Sequence, residues 1–168
     1  MDSASAVPST LVLGLGNPIL TDDGVGVSAA AAVRKALPPD AAIEVSEVSV
    51  GGLGLMERML GYDRVILIDA FQNGGGRPGA VYRLTLDDLR SASPTQHSAS
   101  AHDTNLVTAL DMARRMGLSP PAETIVYAVE VENVQDFGEE PTPAVAAAIP
   151  AVVASVLTEL GLDPSESR

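Results

Sequence analysis

The chain has no cysteine and no tryptophan, and aromatic residues fill only 3% of its 168 positions. Without cysteine there is no disulfide, no thiolate metal site and no cysteine nucleophile, a pattern that fits a reducing compartment. With so few rings, the core has to be built from Ala, Val, Leu and Ile. Positive charge is also scarce: 10 Lys and Arg stand against 22 Asp and Glu, a formal net charge of −12. A surface this acidic repels phosphate backbones, so no nucleic-acid partner is expected. Long hydrophobic runs are missing too. Leu11–Leu15 is far too short to span a bilayer. Met1–Thr10 lacks the basic start and apolar stretch of a signal peptide. The expectation is a cytoplasmic protein with no membrane partner.

What is present is an ordinary globular mix, 46% hydrophobic and 19% charged, of a length that suits one domain. Residues 10–162 are expected to form that domain, between a flexible N-terminus over 1–9 and a disordered tail over 163–168. Leu11–Leu15 reads as a buried strand that stops at the turn signal Gly16-Asn17-Pro18. Thr21 is placed to cap a helix that starts with Asp22 and Asp23 and runs to Leu37. Ile43–Val48 alternates like a second strand and is broken by Gly51-Gly52. Leu53–Leu60 has helical spacing, and Gly61 ends it. Arg64–Ala70 is the clearest strand, four apolar residues followed by Asp69. Gln72–Gly79 is a glycine-rich loop, and the polar alternation of Val81–Leu86 suggests an edge strand. After a Ser-rich loop over Ser91–Ser100, Thr104–Met116 is predicted helical, Glu123–Val131 a strand and Pro143–Leu160 a long helix. Strands alternating with helices imply an α/β fold: a mainly parallel sheet covered on both faces, with ligands bound beyond the carboxyl ends of its strands.

Candidate chemistry lies at three places near those ends. Asp22 and Asp23 follow the first strand, where acids in a first helical turn also serve simply as caps. Asp69 ends the buried third strand, where a carboxylate needs a cation or hydrogen-bond donors; a loop-capping role would also meet that need. His102 precedes a predicted helix, and the only other histidine is His97. Neutral imidazole is a common metal ligand and base at physiological pH. Asp23, Asp69 and His102 together offer a mixed oxygen and nitrogen set that suits a borderline divalent metal. They are far apart along the chain, so only the fold can bring them to one rim. A nucleotide reading is weak: the third glycine of a dinucleotide fingerprint would fall at Ile19, and no phosphate-loop lysine follows. The serine-hydrolase elbow and the zinc-protease helix motif are absent.

The stretch Leu11–Val27 (LVLGLGNPILTDDGVGV) resembles the N-terminal signature of hydrogenase maturation proteases. The similarity continues through Val50–Ala70, Ser100–Leu106 and Ala128–Pro150, in family order. The resemblance implies a three-layer α/β/α sandwich with a mainly parallel five-stranded sheet, phosphorylase/hydrolase-like. It implies an endopeptidase, of aspartic or metal-dependent type, that trims the C-terminal extension of a nickel–iron hydrogenase large-subunit precursor once nickel is installed. The metal contacts of the family carry over onto Asp23, Asp69 and His102, with Asp23 a shorter arm than the glutamate of some members. The glycine-rich turn maps onto Gly51-Gly52, where missing side chains admit a substrate backbone. The nickel would arrive with the precursor, and cadmium or zinc could occupy the same ligands. A monomer or weak homo-oligomer is expected. Two other readings compete: a peptidyl-tRNA hydrolase-like esterase, whose first strand is similar but which needs a basic face, and a non-catalytic metal-checking assembly factor on the same fold.

Overall fold

The computed structural model describes residues 9–72, 75–91 and 101–166, except for the side chains of residues 101–105 and 166. Five strands form one sheet in the order β2-β1-β3-β5-β4. They are β1 (Thr10–Leu15), β2 (Ile43–Val48), β3 (Arg64–Phe71), β4 (Val81–Thr85) and β5 (Glu123–Glu130). β1, β2, β3 and β5 run parallel; β4 is antiparallel to β5 and lies at the edge, as its alternating sequence suggests.

Two aliphatic layers enclose the sheet. On one face Val12, Ile66, Ile68, Ile125, Tyr127 and Val129 pack against helices α1 (Val25–Ala36) and α5 (Pro143–Glu159). On the other face Leu11, Leu13, Leu15, Val65, Leu67 and Val126 pack against α2 (Gly52–Met59) and α4 (Ala101–Arg115). The central strands are apolar on both sides, as a parallel sheet under two helical layers requires. α1 lies hard against the sheet: a Cβ at Gly26 would overlap the carbonyl oxygens of both Leu15 and Ile68.

Several local expectations change. Thr21–Gly24 is a 3-10 turn ahead of α1, not its first turn, and no side chain caps it. Thr21 takes a positive φ of 46°, and its hydroxyl donates to the Asp136 carbonyl. β3 continues past Asp69 to Phe71. A short helix, α3 (Leu86–Ser91), follows β4 where none was predicted. α4 begins at Ala101, so residue 102 lies in its first turn and not before it. Pro164–Glu166 form a 3-10 turn within the tail expected to be disordered. At the other end Ser9 is tied to Asp63, while residues 1–8 lie outside the described set.

An ionic network closes the amino-terminal side of the sheet. The Glu159 carboxylate at the end of α5 bridges Arg64 and Arg83, each at 2.7 Å, and accepts from the Tyr127 hydroxyl at 2.8 Å. The Arg83 hydrogen bonds, helped by the Tyr127 bond and the two guanidinium charges, hold its pKa down at about 2. Burial, then the same carboxylate, pushes Tyr127 up to about 12. Glu159 is ordinary in the unfolded chain, so between pH 2 and 4.5 the unfolded state binds more protons. The stabilisation, on the order of 3 kcal/mol, is therefore complete above pH 4.5 and disappears as pH falls toward 2. Urea unfolding of wild type and Glu159→Gln should show a gap that is wide at pH 7 and closes in acid. A gap that does not change with pH would refute the network.

Candidate active site at the carboxyl rim

The strand order places a topological switch between β1 and β3. From β1 the chain moves outward to β2, then crosses back to β3 on the other side. The connections at the carboxyl ends of β1 and β3 therefore part in opposite directions and leave a crevice, the usual ligand position in open α/β sheets.

Asp23 belongs to the turn that lies on this crevice. The 3-10 turn packs on β3, and its position is set by close backbone contacts. Gly16 has φ 132°, and a Cβ there would overlap the Asp23 carbonyl. The half-buried Asp23 carboxylate accepts from the Asn17 N–H at 2.7 Å, which turns it back over the end of β1.

Asp69 is 2% exposed. The pairing of β1 with β3 ends at Gly14 and Ile68, so Asp69 is the first β3 residue beyond it. On the other side Asp69 is still in register with Ala128 of β5. Its Oδ1 accepts from the Ala70 N–H at 2.8 Å. By strand alternation it shares the face of Val65 and Leu67, the one covered by α2 and α4.

Gly51 and Gly52 stand at the same rim, one strand further out. Gly51 precedes α2 in an extended conformation, and Gly52 opens the helix with φ 57°, where a side chain would be strained. The loop is tied to β1: the Ser49 hydroxyl donates to the Gly16 carbonyl at 3.1 Å and the Gly16 N–H donates to Val48 at 3.1 Å.

For His102 the backbone speaks and the side chain does not. The chain leaving α4 meets the start of β3, with the Gly61 N–H donating to the Ser119 carbonyl, at the amino-terminal side of the sheet. Fifteen helical residues span about 22 Å. The first turn of α4, which contains residue 102, therefore lies toward the carboxyl rim on the face of Asp69. The His102 side chain lies outside the described residues, as does His97. Among the described residues no group of three or more His, Cys, Asp or Glu forms a metal site; the expected set includes the undescribed imidazole.

Two buried acids hold roles that the sequence reading did not give them. Asp22, fully buried, is no cap for its own helix. Its Oδ1 accepts from the Thr142 N–H at 2.7 Å, and its Oδ2 from the Asn133 and Glu132 N–H groups at 3.0 and 3.2 Å. The Thr142 hydroxyl bonds both oxygens at 3.0 Å. The carboxylate thus pins the β5–α5 loop and sets negative charge at the start of α5, where the helix dipole favours it. Glu130, 1% exposed, lies on the face of Asp69, two residues further along the neighbouring strand. Its carboxyl group packs against Gly76, where a Cβ would overlap it. The signal for Glu130 was present in sequence: an apolar run, Ile125–Val129, ending in an acid, as in β3.

The sequence profile described as Hydrogenase maturation protease matches residues 39–159. The hydrogenase expression/formation protein HupD of Rhizobium leguminosarum bv. viciae is 29% identical over 153 residues, 91% of this chain and 74% of its own. The hydrogenase 2 maturation protease of Escherichia coli is 29% identical over 133 residues, 79% of each chain. Among solved structures, the hydrogenase maturating endopeptidase HybD from E. coli superposes with a TM-score of 0.74 at 27% identity, covering 90% of this chain and 91% of that one. Sequence and fold agree, and the chain belongs to the hydrogenase maturation protease family.

Proposed function

We propose that this chain is an endopeptidase that removes the C-terminal extension of a nickel–iron hydrogenase large-subunit precursor after nickel insertion. The observation that carries the reading is the position of Asp23 and Asp69 at one strand-switch crevice, in a chain of this family. The first turn of α4, with His102, lies toward the same rim. Nickel belongs to the substrate here: it arrives inside the precursor, and Asp23, Asp69 and His102 are the groups that would meet it. The donor chemistry fits, since two carboxylates and an imidazole suit a borderline divalent ion and leave room for ligands from the precursor. Cadmium or zinc would suit the same set.

Trimming hydrolyses one peptide bond. A water oxygen adds to the scissile carbonyl carbon, the C–N bond breaks, and the amine leaves with a proton. The substrate's nickel supplies Lewis-acid chemistry, polarising the carbonyl or the water. In this reading a carboxylate, that of half-buried Asp23 or that of Asp69, takes the proton from water and returns it to the leaving amine. The Ala70 N–H donates to the Asp69 carboxylate at 2.8 Å and helps to orient it at the strand end. Gly51 and Gly52 lay a bare backbone beside the crevice, along which an extended substrate segment fits. Cleavage becomes conditional on metal because an unmetallated precursor brings nothing for the three side chains to grip.

The test is incubation with nickel-loaded and nickel-free forms of the same purified precursor, read by intact mass. The expected result is loss of a C-terminal peptide from the loaded form only. No mass loss from either form refutes the endopeptidase; equal loss from both refutes the gating by nickel.

A further inference from the structure

The crevice is bordered by large apolar side chains that the fold leaves in water. Phe137 is 84% exposed, Leu53 56%, Val50 50% and Ile19 47%. They come from the segments that follow three different strands, Leu53 from the first turn of α2, yet all belong to the carboxyl rim. Ile19 follows β1, Val50 and Leu53 follow β2, and Phe137 follows β5. Ile19 and Phe137 are neighbours: the Gly138 N–H donates to the Ile19 carbonyl at 2.9 Å, and Leu20 forms a parallel bridge with Gly138.

Phe137 is not the tip of a slack loop. The buried Asp22 carboxylate holds the backbone on both sides of it, at Glu132, Asn133 and Thr142. The Thr21 hydroxyl and N–H bond the Asp136 and Gly138 carbonyls. The Asn133 carbonyl oxygen Oδ1 accepts from the Gln135 and Asp136 N–H groups. Strain is spent here as well, since Thr21 is the one non-glycine residue with positive φ among the described residues. A ring held out in water by so many backbone bonds is pre-ordered for a partner, which lowers the entropy cost of binding. The same turn carries Asp23, so whatever covers Phe137 is registered against the crevice.

Charge identifies the chemistry of the partner. Phe137 stands among exposed Glu132, Asp136, Glu139 and Glu140, in a chain of net charge −12. An aromatic anchor inside an acidic rim is complementary to an apolar pocket bordered by Lys and Arg. We propose that the β5–α5 loop, with Phe137 at its centre and Ile19 of the β1–α1 turn beside it, is the docking element for the folded body of the precursor, whose matching face is a basic-rimmed apolar pocket. This deepens the function proposed above and rests on it for the partner's identity. The loop binds the body of the precursor, while the crevice receives its metal and scissile segment. Val50 and Leu53 form a second apolar edge on the side of Gly51 and Gly52.

The experiment measures binding and trimming separately, with the purified nickel-loaded precursor as probe. Phe137→Ser removes the anchor from an exposed site, and Glu139→Lys with Glu140→Lys inverts the rim; neither glutamate is buried. Phe137→Ser should weaken binding at least tenfold and raise KM to match, with kcat little changed and the thermal midpoint unmoved. Wild-type affinity should fall with added salt, and the charge-inverted variant should bind more weakly with a flatter salt response. Binding by both variants at wild-type strength overturns the docking inference even if trimming proceeds. Wild-type binding without trimming, lost in Phe137→Ser, supports the docking surface and sinks the endopeptidase. Absence of wild-type binding overturns this inference whatever the mass assay shows.

Discussion

Asp69→Asn and His102→Ala should each slow trimming of a nickel-loaded precursor by about a hundredfold or more. The asparagine substitution is nearly isosteric. Its amide oxygen can still accept from the Ala70 N–H, the bond now made at 2.8 Å, so the strand end keeps its shape. What it loses is the negative charge at a 2% exposed position, where little water competes for an ion. The thermal midpoint should therefore stay close to wild type while activity collapses. Both residues are assigned to one metal, so the double variant should be little worse than the poorer single variant. Single-turnover kinetics on the loaded precursor would measure this. Near-wild-type rates in both single variants would remove Asp69 and His102 from the site, and additive losses would place them in separate roles.

Its neighbour in sequence type, Asp22, should behave in the opposite way. Asp22→Ala removes the acceptor for three backbone N–H groups and the Thr142 hydroxyl in a fully buried place. Each buried donor left without an acceptor costs about 1–3 kcal/mol, and water entering the cavity recovers part of that. A net loss of about 3–5 kcal/mol is expected, a large share of the stability of a domain this size. Urea unfolding should show a lower midpoint with little change in slope. Asp22→Asn keeps one carbonyl acceptor and should lose roughly half as much. The β5–α5 loop should then exchange its amide hydrogens faster than the sheet does, since it opens first. A midpoint shift below about 1 kcal/mol would show that the loop is held by something other than this carboxylate.

The contrast between Asp22 and Asp23 shows where sequence reading stops. Both are aspartates after the first strand, and a capping role fits both by local rules. The 3-10 turn separates them. Asp22 points into the protein and serves the start of α5, which begins 121 residues later by number, at Pro143. Asp23 turns toward the rim and bonds Asn17. Nothing within a few residues encodes that division, because the donors that orient Asp22 come from the far end of the chain. The missed helix has a different cause. Leu86–Ser91 is six residues long, too short for a period to be visible, and Leu86 extends the alternation of the strand before it. Residues 133–140 of the docking loop are mostly polar in sequence, with no local signal of order. Its rigidity comes from partners in the β1–α1 turn.

Residues whose role is decided by their own short neighbourhood were legible. Runs such as Leu11–Leu15 and Val65–Ile68 had to be buried strands, since no other arrangement hides consecutive branched aliphatics in a chain without long hydrophobic spans. Their alternation with helices required a largely parallel sheet, and the scarcity of aromatics required an aliphatic core. Tertiary structure alone decided the strand order, with β1 and β3 adjacent at the switch. It also decided which of two adjacent acids is buried, and which apolar side chains remain in water. The physical reason is range. Hydrophobic patterning acts within a strand or a helix turn, whereas hydrogen bonding of a buried carboxylate and closure of a crevice depend on groups that only folding brings together.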